Sequence, residues 1–137
     1  MKELGVEVIT ASSGAAVLRL PYDAALIGNP DSGVLHGGAI TTLIDTVAGF
    51  AAFSAVGDGY PLATLDLRID YLKPATPALD LQAEAFTYKQ TSSIIFVRAT
   101  AFHDDPADPI ANCVCTFMRG TKGPSFVGKA PKAEVTK

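Results

Sequence analysis

The sequence predicts an α+β domain in which one long helix packs against a single antiparallel sheet. Two patterns carry this prediction: one run of apolar residues at helical spacing, and runs on either side of it that alternate as β-strands do. The predicted order is a hairpin, the helix, and then four consecutive antiparallel strands. Because the helix and a one-sided sheet must each bury an apolar face, we expect them to share one core.

The first two elements have clear boundaries in the sequence. A hairpin is predicted between residues 5 and 20, with its turn at Ser12-Ser13-Gly14. The helix is predicted from about Leu35 to Val56, and Gly57-Asp58-Gly59 after it is typical of a glycine C-cap. Its apolar stripe is formed by Ile40, Leu43, Ile44, Val47, Ala48 and Ala51.

Four strand-like segments follow the helix. In the first, LATLDLRIDYL, strict alternation predicts one face with Leu65, Leu67, Ile69 and Tyr71, and an opposite face with Thr64, Asp66, Arg68 and Asp70. The other three are predicted at residues 79–89, 93–102 and 110–119. Residues 1–120 therefore form one domain, and the lysine-rich residues 121–137 are expected to be a mobile C-terminal tail.

The composition and net charge of the chain favour self-association over binding to nucleic acid or a membrane. The chain has 137 residues, of which 48% are hydrophobic and 18% charged, so apolar surface is left over and self-association is expected. The net charge of −3 and the lack of a basic cluster inside the predicted domain disfavour nucleic-acid binding. The first residues do not resemble a signal peptide, and the Gly, Thr and Asp of the helix make it a poor membrane span.

The two cysteines predict neither a disulfide nor a metal site. Cys113 and Cys115 lie two apart in a predicted strand, so their side chains share a face, where the geometry for a bridge is poor. Two cysteines and two distant histidines do not make a zinc site. We expect buried thiols in a reducing compartment, which favours a cytoplasmic location.

The predicted helix has no solvated face. Opposite the apolar stripe it carries small or apolar residues where a surface helix carries Lys, Glu and Arg. One sheet can cover only one side of such a helix, so the other side is expected to meet a partner subunit. Asp45 is the only charged residue between His36 and Val56. A carboxylate there is costly unless it is paired or functional, and both interpretations stay open.

His36-Gly37-Gly38 stands at the predicted start of the helix. The first N–H groups of a helix lack internal partners and, with the helix dipole, favour negative charge. Glycines there let a ligand carbonyl approach the backbone, which would stabilise an oxyanion, although glycines also precede helices simply as turns. Asp45 lies about 12 Å further along the axis than Gly37. If both act on one carbonyl, two chains must contribute them.

Three ordered motifs resemble the PaaI-type (phenylacetate-pathway) hotdog thioesterases. They are Asn29-Pro-Asp-Ser-Gly33-Val-Leu-His36-Gly37-Gly38, Leu43-Ile-Asp45, and Ala63-Thr64-Leu-Asp66-Leu-Arg-Ile-Asp-Tyr71-Leu-Lys-Pro74-Ala75. The resemblance covers about residues 28–119. It implies the hotdog fold, in which a curved antiparallel β-sheet wraps one long central helix. It also implies a homodimer with two interfacial sites, often paired again into a homotetramer (a dimer of dimers).

The resemblance further implies hydrolysis of an aryl- or fatty-acyl-CoA thioester. By position, Asp45 matches the general base or nucleophile, and Gly37 the residue whose N–H polarises the thioester carbonyl. His36 lies beside that site, Asn29 matches an asparagine that orients the thioester or water, and Thr64 matches a hydroxyl residue that holds water near the carboxylate. The resemblance implies that the first chain gives Asn29, His36 and Gly37, and the second gives Asp45 and Thr64.

The expected substrate contacts are Gly38, Phe53, Lys89 and Ser93. No cofactor is implied, since coenzyme A enters as part of the substrate. The sequence departs from the family at two places: one extra residue between Asn29 and His36, and no Gly followed by Arg or Lys in the turn between Lys89 and Ser93. That turn commonly lies near the nucleotide part of coenzyme A, so Lys89 or Arg119 would have to compensate.

Two other functions stay open at this point. A hotdog hydratase or dehydratase would need an Asp and a His together on the catalytic segment, whereas His36 precedes the helix and His103 falls in a polar turn. A non-catalytic acyl-CoA or aromatic-ligand binder would keep the fold without turnover, and the altered turn near Lys89 keeps that alternative open. Release of free thiol from CoA thioesters separates hydrolysis from binding, and addition of water to an enoyl-CoA would reveal a hydratase.

Overall fold

A computed structural model of the protein describes residues 5–23, 27–29, 34–35 and 37–120. In chain order its elements are β1 (Glu7–Ser12), β2 (Ala15–Leu20), β3 (Ile27–Asn29), β4 (Val34–Leu35), α1 (Gly37–Val56), β5 (Leu62–Tyr71), β6 (Leu81–Gln90), β7 (Ile94–Phe102) and β8 (Ala111–Arg119). His36 and the predicted tail at 121–137 lie outside the described residues.

The strands of the main sheet are antiparallel and lie in the order β1-β2-β6-β7-β8-β5. The predicted fold, one long helix on an antiparallel sheet, is confirmed. The strand order was not predicted: β5 lies beside β8 at the edge of the sheet rather than beside β6, which follows it in the chain. β3 and β4 form a separate two-stranded sheet in a segment that the sequence predicts only as a connection.

The core lies between α1 and the inner face of the main sheet. α1 lies chiefly over β2, β6 and β7, and its apolar stripe is fully buried there. The matching side chains of the sheet include Leu18, Leu81, Ile95 and Val97, all without exposed surface. Because the helix sits over these three strands, its flank toward β5 and β8 stays open, and that flank carries Asp45.

The predicted turns are confirmed by backbone geometry. Ser13 and Gly14 both have positive φ (54° and 86°), as a two-residue hairpin loop requires. Gly57 has φ 71°, and its N–H donates to the Phe53 carbonyl at 3.1 Å. A left-handed residue that satisfies a last-turn carbonyl is the usual glycine C-cap, so α1 ends where the sequence predicts.

The strict alternation predicted for β5 is wrong at its start. The register with β8 shifts between Thr64 and Asp66, so a β-bulge leaves Leu65 as the extra residue. Thr64 pairs with Phe117, whose side chain is buried, and therefore faces inward, whereas the sequence pattern placed it with Asp66 on the outer face. Leu65 is 49% exposed instead of inward-facing. A bulge resets the two-residue period, which alternation alone cannot detect.

Cys113 and Cys115 are buried free thiols on the inner face of β8, as predicted. A hydrogen bond between the two thiols, together with burial, holds the pKa of Cys115 well above its usual range.

α1 is, within the described part of the chain, the one helix long and apolar enough to cross a membrane by length and composition, with a mean hydropathy of 1.6 over its best window. Its Gly, Thr and Asp residues predict a poor membrane span. A core helix passes the same test, and α1 packs on the sheet with its whole apolar stripe buried.

Candidate active site

Asp45 lies in the third turn of α1, on the open flank of the helix. Its carboxylate is half-buried, and Thr64 Oγ1 donates a hydrogen bond to Asp45 Oδ1 at 3.4 Å. The bulge in β5 makes this contact possible, because it turns Thr64 toward the helix. The structure thus brings together two residues that the family resemblance had paired.

Asp45 opens into a cleft of about 430 Å³ between α1, β5 and β8, which we call the Asp45 cleft. Its volume is within the usual range for small-molecule sites. Apart from Asp45 and Thr64, its walls are mostly apolar and are formed by Thr46, Gly49, Phe50, Phe53, Leu62 and Phe117. Phe53 is one of the residues expected to contact the substrate, and large aromatic residues of a central helix are most often buried in a core. Phe50 and Phe53 are instead 39% and 47% exposed and line this cleft.

Gly49 keeps the cleft open next to the carboxylate. It lies one helical turn beyond Asp45, and a Cβ built on it would meet no atom within 4 Å. A glycine inside a helix costs roughly 0.5–1 kcal/mol relative to alanine. Packing within one chain does not require this glycine, so the space it leaves belongs to the cleft or to a partner's approach.

Gly37 opens into a different cleft, of about 320 Å³, at the N-terminal end of α1, which we call the Gly37 cleft. Its walls are Ile40, Tyr71, Leu72, Lys73, Pro74 and Ala75. The Tyr71 hydroxyl donates to the Gly37 carbonyl at 3.2 Å and lies 2.5 Å from Thr41 Oγ1. The end of β5 is therefore tied to the start of α1.

The two clefts share no lining residue. Asp45 lies eight positions beyond Gly37 in α1, which places the two residues about 12 Å apart along the helix axis. A single chain therefore presents a carboxylate in one cleft and an amide-bearing helix end in the other, and never both at one reacting carbonyl.

The remaining predicted site residues are placed as follows. Asn29 ends β3, and its side chain, like all of His36, lies outside the described residues. Gly38 is the second residue of α1, and its carbonyl accepts the Thr42 hydroxyl at 2.8 Å. Lys89 and Ser93 flank the exposed turn between β6 and β7, where the Ser93 carbonyl accepts the Arg119 N–H at 2.8 Å. These two line neither cleft.

Tyr71 is the site residue that sequence reasoning missed. It was quoted only as part of a motif and as an inward-facing strand residue. Its role depends on a contact between residues 34 positions apart, which no local pattern encodes. Within the described residues, no three His, Cys, Asp or Glu side chains lie close enough together to hold a metal ion.

A single long helix held in an antiparallel sheet, with a carboxylate in mid-helix and glycines at its start, is the arrangement that defines the hotdog class of proteins. A family model described as Thioesterase superfamily matches residues 32–110, which is more than half of the chain. The chain belongs to the thioesterase superfamily.

Relatives of known sequence or structure agree with this assignment. A crystal structure of a Pseudomonas aeruginosa protein is 49% identical with a TM-score of 0.79, covering 86% of this chain and 87% of that one. A Halobacterium salinarum protein, named only provisionally as an esterase, is 42% identical over 94 residues, which are 66% of this chain and 61% of that protein. The chain thus spans about three fifths of that relative. The Escherichia coli medium/long-chain acyl-CoA thioesterase YigI is 26% identical over 138 residues, with 87% and 84% covered.

The predicted likeness to PaaI-type proteins is also confirmed. The phenylacetic acid degradation protein PaaI of Thermus thermophilus has a TM-score of 0.76 and covers 87% of this chain and 96% of its own. At 24% identity this match speaks for the fold. Taken together, these comparisons give the family and the fold of this chain.

Proposed function

We propose that the protein hydrolyses acyl-CoA thioesters in sites that two copies of the chain share. The observation that carries this proposal is the separation of Asp45 and Gly37 into two clefts of one chain. Each cleft holds half of what the reaction needs. The Asp45 cleft supplies a carboxylate and apolar walls, and the Gly37 cleft supplies the helix end that favours negative charge.

The chemistry needs few groups. The thioester carbonyl lies against the Gly37 N–H of one chain, where the oxyanion formed on attack is stabilised. Asp45 of the other chain removes a proton from a water held with Thr64, and that water attacks the carbonyl. The tetrahedral intermediate collapses to the free acid and the coenzyme A thiolate. Since thiols ionise near pKa 8.5, the thiolate leaves without a strong acid.

A covalent route uses the same geometry. Asp45 attacks the carbonyl directly, the thiolate leaves, and a mixed anhydride between Asp45 and the acyl group forms. Water then cleaves this anhydride and regenerates the carboxylate. Both routes place the carbonyl carbon within reach of Asp45 and its oxygen at Gly37, so the two proposals share every residue.

The walls of the Asp45 cleft suit an aryl or fatty acyl group. Phe50, Phe53 and Leu62 present apolar surface beside the carboxylate. We assign the acyl group to this surface, and the pantetheine and nucleotide to a path leading out past Lys89 and Ser93. The name of YigI, a medium/long-chain acyl-CoA thioesterase, is compatible with an extended apolar acyl group.

The edge strand β5 is the surface through which we propose that two chains meet. Its free edge pairs with no strand among the described residues. β5 also borders both clefts, since Leu62 and Thr64 line one and Tyr71 lines the other. Antiparallel pairing of two β5 strands brings the Thr64 end of one chain to the Tyr71 end of its partner, and so joins an Asp45 cleft to a Gly37 cleft.

The charges on β5 favour one register for this pairing. Asp66, Arg68 and Asp70 share the outer face, and Arg68 makes only a loose, exposed contact with Asp70 at 3.4 Å. A two-fold axis at Leu67 pairs Asp66 with the partner's Arg68 twice and engages nearly the whole strand. An axis at Arg68 would instead oppose like charges, which destabilises a sheet.

The outer face of the main sheet supports the second step of assembly, a dimer of dimers. Phe86, Arg98 and Val114 form one row across β6, β7 and β8, with Phe86 50% and Val114 46% exposed. Arg98 also lies over the Tyr88 ring, 4.4 Å from its centroid. A second copy of this row would cover the exposed side chains of Phe86 and Val114. We assign the protein to the cytoplasm, which suits the adjacent free thiols of β8.

The hydrolysis is tested by Asp45→Asn, which keeps the size of the side chain and its ability to accept from Thr64. Loss of the base or nucleophile should lower kcat by at least about 100-fold while the protein stays folded. The measurement is thiol release from a panel of aryl- and fatty-acyl-CoA thioesters, with melting temperature and mass as controls. A variant that turns over like wild type would remove Asp45 from the mechanism. Tight binding by wild type without thiol release would favour the ligand-binder alternative.

The role of the helix end is tested by comparing Gly37→Pro with Gly37→Ala. Proline suits the first helical position but lacks the N–H, so kcat should fall by about 100-fold or more. Alanine keeps the N–H, and its Cβ would lie 3.9 Å from the Tyr71 hydroxyl, an ordinary contact. We therefore expect Gly37→Ala to retain most of the activity. Equal activity of the two variants would show that this N–H does not polarise the carbonyl.

The dimer register is tested by charge reversal on β5. Asp66→Arg and Arg68→Asp should each weaken the dimer and lower activity at low protein concentration, and the double variant should restore both. Molar mass by light scattering across a dilution series measures the effect. As a control, Phe86→Arg should stop assembly at the dimer and leave activity intact. Restoration by Arg68→Asp with Asp70→Arg instead would place the axis two residues further along β5.

A further inference from the structure

The hydroxyl groups near the start of α1 do not all behave alike. Thr42 and Thr46 donate to the carbonyls four residues earlier, Gly38 and Thr42, at 2.8 and 2.7 Å. Thr41 would make the same contact with Gly37. Instead its Oγ1 lies 2.5 Å from the Tyr71 hydroxyl, which itself donates to the Gly37 carbonyl at 3.2 Å. The Tyr71 hydroxyl therefore lies between Thr41 and the Gly37 carbonyl, where a threonine of this helix otherwise bonds the carbonyl directly.

The direction of this chain of hydrogen bonds follows from the number of protons. A tyrosine hydroxyl carries one proton, and here it goes to the Gly37 carbonyl. The short contact with Thr41 must then be donated by Thr41. The order is Thr41 to Tyr71 to the Gly37 carbonyl. Hydrogen bonds in such a chain polarise one another, so the last acceptor is held more strongly than by a single bond.

The acceptor at the end of this chain belongs to the peptide that joins Gly37 to Gly38. Two successive glycines give the backbone its greatest freedom, at the place where an oxyanion site needs fixed donors. Hydrogen bonding to a peptide carbonyl also strengthens the N–H of the same peptide as a donor, and here that N–H is on Gly38. The Tyr71 hydrogen bond therefore fixes the orientation of the peptide that directly follows the Gly37 N–H, and it strengthens the Gly38 N–H as the next donor at the same helix end.

We propose that Tyr71 is a positioning residue for the oxyanion site: its hydroxyl, held by Thr41, anchors and polarises the Gly37–Gly38 peptide. This inference rests on the proposed function, since it assigns Tyr71 to the same reaction. Tyr71 lines the Gly37 cleft, and Lys73 in the same wall is paired with Asp108 at 2.8 Å. No other described side chain donates to the Gly37 carbonyl.

The test is a double-mutant cycle of Tyr71→Phe and Thr41→Val. Tyr71→Phe removes only the hydroxyl, and kcat should fall about ten-fold with KM nearly unchanged, as loss of about one hydrogen bond's stabilisation of the transition state predicts. Thr41→Val should cause a smaller fall, about three-fold, because Tyr71 keeps its bond to Gly37. The kcat of the double variant should be no lower than that of Tyr71→Phe alone, because both residues act through the same series of hydrogen bonds.

Controls separate this role from a merely structural one. Thr41→Ser keeps the hydroxyl and should retain wild-type kcat, and Tyr60→Phe, outside both clefts, should change nothing. Mass by light scattering shows whether the variants stay assembled. A Tyr71→Phe enzyme with wild-type kcat, or one whose loss is explained by dissociation, overturns the inference.

A second readout does not depend on turnover. In ¹⁵N-labelled protein, Tyr71→Phe should shift the Gly38 amide proton toward weaker polarisation, while Tyr60→Phe leaves it in place. An unmoved Gly38 amide overturns the inference even if the enzyme is active. If the wild type releases no thiol from any acyl-CoA, the proposed function fails, and the Gly38 amide still decides whether Tyr71 polarises this peptide.

Discussion

A rigid helix cannot bring two of its own positions to one atom. α1 carries Asp45 in its third turn and Gly37 at its start, about 12 Å apart along the axis, and neither can move toward the other without breaking the helix. The flank that carries Asp45 also presents exposed Phe50 and Phe53. Under the proposed mechanism, both the chemistry and the exposed apolar surface require a second copy of the chain, so assembly is a condition of catalysis.

β5 is the strand that positions residues of both clefts. Its bulge turns Thr64 toward Asp45, its far end holds Tyr71 against Gly37, and its free edge lies between the two clefts. If two copies of β5 pair in the antiparallel direction, the Thr64 end of one strand lies beside the Tyr71 end of the other. Each Asp45 cleft then meets a Gly37 cleft of the partner. The side chains that position each half-site therefore lie on the strand that we propose joins the chains.

The sequence predicted what local periodicity encodes. The hairpin turn at Ser13 and Gly14, the helix, and its cap at Gly57 each follow from contiguous residues, and each is confirmed. Asp45 could be singled out because a lone charge is conspicuous in an apolar helix. The position of β5 beside β8 and the bulge at Leu65 depend on pairing between distant segments, so alternation missed them. The role of Tyr71 was hidden for the same reason. Its partners are on another element.

Subunit complementation tests most directly whether one active site needs residues from two chains. Asp45→Asn and Gly37→Pro chains are each expected to be nearly inactive alone. If they are unfolded together, refolded and assayed with an acyl-CoA, a mixed dimer should contain one site with both defects and one with none. The account predicts that thiol release returns to about a quarter of the wild-type rate, since half of a random mixture is mixed dimer with one intact site. Mixtures no more active than the two variants alone, despite proven mixed dimers, would contradict it, because each site would then draw Asp45 and Gly37 from the same chain.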